Sequence, residues 1–239
     1  MNQNNELKIK IFADGANKSE MLEFAKNPFV NGFTTNPSLM KKAGITNYLE
    51  FAKDILSEIK TKPISFEVFA DELKEMETQA LKISSLGENV FVKIPITNSK
   101  GISTAPIIHS LSSKKVKLNI TAVFTIEQTR DAVLAIEANT EAVISVFAGR
   151  LADVGIDPSS FVSGSVALAT LKKNVGILWA STREVWNIFQ AQALGCEVIT
   201  APKDVLTKLK SLGRDPKELS LETVQTFYKD ALDSGFKLD

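Results

Sequence analysis

Eight short apolar segments, each followed by a stretch of helical pattern, constrain this chain more than any other feature. They fall at roughly 8–14, 32–36, 64–69, 90–95, 116–123, 142–148, 175–180 and 196–200, and most are rich in Val, Ile and Phe. Their starts recur at about the length of one βα unit. The intervals carry apolar residues at helical spacing, as with Leu49, Ala52, Ile55, Leu56 and Ile59, and predict helices over 19–26, 47–59, 72–86, 104–111, 126–138, 158–171, 182–194, 203–212 and 221–232. Thr125 fits the cap of one of them, with Glu127 and Gln128 in its first turn. Strand–helix alternation repeated eight times predicts parallel strands closed into a single-domain (β/α)8 TIM barrel spanning the chain. An open doubly wound sheet is the runner-up, but Ala13-Asp14-Gly15-Ala16-Asn17 after the first segment is not its glycine-rich phosphate turn. The segment 203–235 reads as helical, packing on the barrel or on a neighbouring subunit.

Charge and cysteine content remove several classes of function. Lys and Arg total 28 against 28 Asp and Glu, so nothing global points to nucleic acid or an anionic membrane. With one cysteine, Cys196, and one histidine, His109, no intramolecular disulfide forms and little is left for a zinc site. Cys196 is expected to pack and His109 to sit on a helix surface. The polar start, Met1-Asn2-Gln3-Asn4-Asn5, lacks a signal core, and no apolar run reaches the ~20 residues of a membrane span. The expectation is a soluble, cytoplasmic protein.

The segment Val90-Phe91-Val92-Lys93-Ile94-Pro95 places a lysine inside an otherwise apolar strand. Burial disfavours its ammonium form and so favours the neutral amine that a Schiff-base nucleophile requires; a lysine snorkelling from an exposed strand face is the alternative. In a barrel, catalytic groups gather at the C-terminal strand ends. Those ends carry Asp14, Asn36, Glu67, Lys93, Asn119 with Thr121, Ser145 with Phe147, and Ser181. Period-two alternation puts Asn119 with Thr121, Ser145 with Phe147, and Trp179 with Ser181 on shared faces. Polar ends on seven of the eight predicted strands imply a polar pocket at one mouth of the barrel. Asp14 before Gly15 also fits a turn, Asn36 before Pro37 a turn or helix cap, and Glu67 an ion pair with Lys93 across the barrel. Trp179 and Trp186 are expected in the core. Arg150 and Arg183 follow the sixth and seventh strands, a natural bidentate clamp for phosphate; pairing of Arg183 with Glu184 or Glu197, and of Arg150 with Asp153, is the alternative.

Six motifs taken together resemble the transaldolase family: Phe12-Ala13-Asp14-Gly15-Ala16, Thr34-Thr35-Asn36-Pro37-Ser38, Val92-Lys93-Ile94-Pro95, Asn119-Ile120-Thr121, Ser145-Val146-Phe147-Ala148-Gly149-Arg150 and Ala180-Ser181-Thr182-Arg183. The resemblance implies a cofactor-free class I enzyme. It transfers a dihydroxyacetone unit between a ketose phosphate, such as sedoheptulose 7-phosphate or fructose 6-phosphate, and an aldose phosphate. It makes Lys93 the Schiff-base lysine and Asp14 the base at the C4 hydroxyl. Glu67 and Thr121 become the pair that hold a water. Asn36, Asn119 and Ser145 bind the dihydroxyacetone portion, and Arg150, Arg183 and Ser181 the phosphate. Glu67 and Phe147 match transaldolases, where the related fructose 6-phosphate aldolases tend to carry glutamine and tyrosine. The chain is compact, as in the short branch of the family, which often forms rings of subunits through a C-terminal helix; 221–232 is the candidate here for homo-oligomer assembly. The rival readings are an aldolase using free dihydroxyacetone and a non-catalytic sugar-phosphate-binding barrel.

Overall fold

The computed structural model describes residues 7–238, so the polar stretch Met1–Asn5 lies outside the described residues. They group into two compact units, one through Leu206 and one from Thr207. In the first, β1 (Lys10–Asp14), β2 (Val30–Thr34), β3 (Ile64–Glu67), β4 (Val90–Pro95), β5 (Leu118–Val123), β6 (Ala142–Val146), β7 (Val175–Trp179) and β8 (Val198–Pro202) pair in sequence order, all parallel, and β8 closes on β1. This is the expected (β/α)8 barrel. Its helices are α1 (Lys18–Ala25), α2 (Pro37–Lys42), α3 (Tyr48–Glu58), α4 (Leu73–Ser84), α5 (Ala105–Ser113), α6 (Ile126–Ala135), α7 (Ala148–Asp153), α8 (Ser159–Ala169), α9 (Trp186–Ala193) and α10 (Lys203–Leu206).

Both faces of the strands are buried, which is why they read as near-continuous apolar runs. One face, with Phe33, Ile64, Phe66, Ile94, Leu118, Ile120 and Trp179, lies fully buried. The other fills the barrel interior, where Phe12, Leu178, Ala180 and Val198 pack with Val143 and Phe147. Phe12 sets a local requirement: a Cβ on Gly32 would lie 2.7 Å from its ring, so only glycine fits at the facing position of β2. At α6 the predicted cap forms a complete capping box, Thr125 accepting from the Gln128 backbone N–H and Gln128 from that of Thr125, both at 3.2 Å.

Several expectations need correction. Two helices, α2 and α7, go unforeseen because six residues are too few to show a helical period. The sixth strand stops at Val146, and Phe147 caps α7 instead of continuing it. Leu178 and Ala180 point into the barrel, so Trp179 points out, and Ser181 lies past the strand in the left-handed region (φ 66), off the face it was expected to share. Trp179 is core, but Trp186 is 61 % exposed, stacked on Phe189 at the start of α9. His109 lies at the surface, 3.3 Å from Glu137, and Cys196 is buried, its thiol pushed up to about 12 by desolvation.

The second unit is a 3-10 turn, Thr207–Ser211, and a helix, α11 (Pro216–Ser234), longer than 221–232 at both ends. Asp215 caps it through the Lys217 N–H at 2.8 Å, and Pro216 occupies its first position. Leu221, Val224, Phe227, Tyr228 and Leu232 form an exposed apolar stripe along it. Among the described residues no helix is long and apolar enough to cross a membrane.

Candidate active site

Two cavities open at the ends of the barrel. The larger, about 740 Å³, lies at the N-terminal strand ends. Its rim holds Lys10 paired with Glu197 at 2.7 Å and Lys117 with Glu141 at 3.6 Å, a solvated ring of mixed charge. The smaller, about 250 Å³, lies at the C-terminal ends, and Asp14, Asn36, Lys93, Thr121, Ser145, Phe147, Arg150, Ser181 and Arg183 all line it, together with Thr34, Thr182 and Thr200. Convergent polar groups at the mouth where barrel loops carry chemistry make the smaller cavity the candidate site despite its size.

Strand register sets a row of three polar positions, of which Lys93 lines the cavity while Glu67 and Asn119 do not. Glu67 pairs with Lys93 between β3 and β4, and Lys93 with Asn119 between β4 and β5, so three polar side chains stand side by side. Lys93 is 6 % exposed and does not snorkel. Its Nζ donates to the Thr35 carbonyl at 3.1 Å and lies 3.1 Å from Glu67 Oε2. The expected ion pair therefore forms between adjacent strands, not across the barrel. Thr35 is the one hydrogen-bond acceptor the described residues give this amine, which also lines the cavity. The Glu67 backbone is held from behind, because the half-buried Tyr48 on α3 donates its hydroxyl to the Glu67 main-chain carbonyl at 2.8 Å, its ring against Phe66 and Phe69. Burial and the Glu67 carboxylate raise the Tyr48 phenol, which keeps it a neutral donor.

Asn119 does not line the cavity but controls what does. Its Oδ1 accepts from Ser145 Oγ at 2.6 Å and its Nδ2 donates to Ser65 Oγ at 3.0 Å, a buried chain spanning β6, β5 and β3. Thr121 Oγ1 is buried with no hydrogen-bond partner among the described residues. Just beyond it the β5–β6 register slips and Ala122 adopts φ 58, a bulge of the kind that re-aims side chains beside active sites. Asn36 does two things: its Oδ1 caps α2 through the Leu39 N–H at 2.9 Å, and the residue lines the cavity. Asp14 accepts from Thr34 Oγ1 at 2.8 Å. Burial raises its carboxyl above the ordinary range, opposed by the charge of Lys93 and by the Thr34 hydrogen bond.

At the rim, Arg150 lies over the Phe147 ring, 5.4 Å from its centroid, a cation–π contact. Arg183 forms a two-pronged pair with Asp153, Nε–Oδ1 2.9 Å and Nη2–Oδ2 2.5 Å. The partner weighed for Arg150 thus belongs to Arg183, and Arg183 takes neither Glu184 nor Glu197. The Arg183 hydrogen bonds hold Asp153 below the usual carboxylate range. Two arginines against one aspartate leave the rim net positive.

A sequence profile of the Transaldolase/Fructose-6-phosphate aldolase family matches residues 11–239. The chain belongs to the transaldolase/fructose-6-phosphate aldolase family. A probable transaldolase of Methanococcus maripaludis (strain C5) is 35 % identical over 207 residues, covering 84 % of this chain and 89 % of that protein. One from Clostridium kluyveri is 34 % identical over 202 residues, with the same coverage. One from Brucella melitensis is 33 % identical over 234 residues, covering 96 % of this chain and all of that protein. As a family member this is an enzyme of the transaldolase/aldolase type.

Within this candidate site and its supports, Thr34, Thr200, Ser65 and Tyr48 were not foreseen. Thr200 was within reach, because the predicted eighth strand ended on it and the same polar-end rule applies. Thr34 stands one residue before the Thr35-Asn36 turn. Ser65 and Tyr48 gave no signal, since each acts only through a partner distant in sequence.

Proposed function

We propose that the chain is a class I transaldolase moving a dihydroxyacetone unit from a ketose phosphate, such as fructose 6-phosphate or sedoheptulose 7-phosphate, to an aldose phosphate such as erythrose 4-phosphate. The supporting observation is the Lys93 amine, buried, facing the cavity and 3.1 Å from Glu67. In this reading Nζ attacks the C2 carbonyl. Glu67 and Thr121, the latter without a hydrogen-bond partner among the described residues, hold a water that carries protons as the carbinolamine loses hydroxide and becomes the iminium. Asp14 takes the C4 hydroxyl proton, the C3–C4 bond breaks and its electron pair enters the iminium as an enamine. The first aldose phosphate leaves, and the enamine carbon attacks the carbonyl of the acceptor, whose oxygen recovers the proton from Asp14. Asn36 and the Ser145–Asn119 pair grip the three-carbon unit; Arg150, Arg183 and Ser181 take the phosphate. Phe147 places no hydroxyl beside the imine, which favours holding the enamine until an acceptor arrives over releasing free dihydroxyacetone.

The apolar stripe of α11 supports assembly into a homo-oligomer, since exposed stripes of that length mark interaction surfaces. The family, the composition and the lack of a long apolar helix among the described residues support a place in cytoplasmic sugar-phosphate metabolism such as the pentose phosphate pathway. Borohydride reduction with fructose 6-phosphate tests the mechanism. A three-carbon adduct is expected on Lys93 and absent in Lys93→Ala, which folds but does not turn over; turnover by that variant would reject the Schiff base. Product that requires erythrose 4-phosphate identifies transfer, and product formed equally without it identifies an aldolase.

A further inference from the structure

We infer that Thr34 links Asp14 to a further cavity-lining hydroxyl, Thr200, as a two-hydroxyl relay whose hydrogen-bond direction follows the charge on Asp14. Thr34 Oγ1 stands 2.8 Å from Asp14 Oδ1 and 2.5 Å from Thr200 Oγ1. A hydroxyl has one hydrogen. When Asp14 is ionised it can only accept, so Thr34 spends its hydrogen there, and the hydrogen between the two threonines belongs to Thr200. Thr200, which lines the cavity, then has only lone pairs to offer a substrate. When a proton sits on Oδ1 the order reverses. Asp14 donates to Thr34, Thr34 turns and donates to Thr200, and the Thr200 hydrogen is released toward the cavity. Each threonine keeps its own hydrogen and no covalent bond beyond the Asp14 O–H is made or broken.

The positions are held by pairing rather than by flexible reach. Asp14 and Thr34 are register partners on β1 and β2, and Thr200 on β8 pairs with Phe12 of β1. Thr200 is fixed further by its carbonyl, which accepts from Thr182 Oγ1 at 2.7 Å. Lys93 on β4 is the charge that acts on Asp14. The spans of β2 and β8 carry no ionisable side chain. On α10, which packs on β1, Lys203 is paired with Glu20 at 2.8 Å and Asp204 is the other charged group. Arg150 and Arg183 line the same cavity. Burial of Asp14 brings its two charge states closer in energy, so the relay can occupy both directions.

The consequence rests on the transaldolase reading. Asp14 is ionised before C–C cleavage and protonated after it. Thr200 therefore offers the substrate only lone pairs in the first state and, when the proton rests on Oδ1, a donor in the second. Thr34 is a positioning residue acting through Asp14, and Thr200 orients the aldehyde on which the proton is returned.

The test titrates the full-length protein labelled with 13C at the aspartate carboxyl carbons, the Asp14 signal being identified by its loss in Asp14→Asn. Removing a donor to a carboxylate raises its midpoint, and hydrogen bonds in a chain strengthen one another. Thr200→Val should raise the Asp14 midpoint, Thr34→Val should raise it further, and Thr200→Ser should restore it. In turnover, Thr200→Val should displace the acid limb of kcat/KM upward and lower kcat by about three- to tenfold, the worth of one hydrogen bond; in an Asp14→Asn background it should change nothing more. An Asp14 midpoint unmoved by Thr200→Val overturns the relay, as does a kinetic effect that persists without Asp14. The titration uses no substrate, so it stands apart from the Schiff-base reading, which borohydride trapping on Lys93 tests separately.

Discussion

Gly149→Ala sets two physical effects against each other at the rim of the site. Gly149 is the second residue of α7, a helical position where alanine is ordinarily better by roughly 0.5–1 kcal/mol. The structure reverses the sign. Gly149 N–H meets the Ala180 carbonyl at 3.4 Å, and a Cβ built there would overlap the Ser181 carbonyl oxygen and stand 2.6 Å from its carbonyl carbon. Both sides of this contact are backbone, and Ser181 is already in the left-handed region, so no side chain can swing away. Ordinary separations require α7 to move from the end of β7 by about 1.5 Å or more. Overpacking of this kind costs about 1–3 kcal/mol or more; at the upper end the melting temperature should fall by roughly 6–12 °C for a chain of this size. Arg150 rides on α7 and Ser181 is the other half of the contact, so both proposed phosphate ligands shift. A misplacement near 1 Å can cost about 10²-fold, so KM for phosphorylated substrates should rise at least about tenfold. Thermal unfolding and steady-state kinetics read both effects. A variant as stable as the parent, or more so, with unchanged KM, would refute the close approach of α7 to β7 and the rim geometry built on it.

Two further substitutions follow from the site. Burial holds the Asp14 carboxyl above its unfolded value of 3.8, so the native chain binds that proton more tightly than the unfolded one. The contribution of Asp14 to stability therefore falls as pH rises from that value through the raised native one, and at neutral pH the buried carboxylate destabilises the fold. Asp14→Asn should melt higher than the parent at about pH 7, with the difference shrinking in acid; a difference independent of pH would contradict the raised carboxyl. Arg183→Ala removes one prong of the proposed phosphate grip. A charge-assisted contact worth about 1.5–3 kcal/mol predicts a KM rise of about ten- to hundredfold for phosphorylated substrates with kcat little changed. An unaltered KM would move the phosphate elsewhere.

The sequence by itself determined the features that depend on neighbours along the chain. Strands buried on both faces must be apolar throughout, so eight such runs at βα spacing specify the barrel. A lysine or glutamate interrupting such a run stands out, as Lys93 and Glu67 do, and a capped first turn such as Thr125-Ile126-Glu127-Gln128 needs nothing distant. Barrel closure decided the rest, because it fixes which strand ends meet and at what register. Pairing of β3 with β4 set Glu67 beside Lys93, and pairing of β1 with β2 and β8 brought Thr200 within reach of Thr34 and Asp14. The short helix α7 carried Asp153 to Arg183, and the packing of α9 left Trp186 in solvent. Hydrogen bonds act over about 3 Å, and no pattern along the chain reports which of its distant residues come that near.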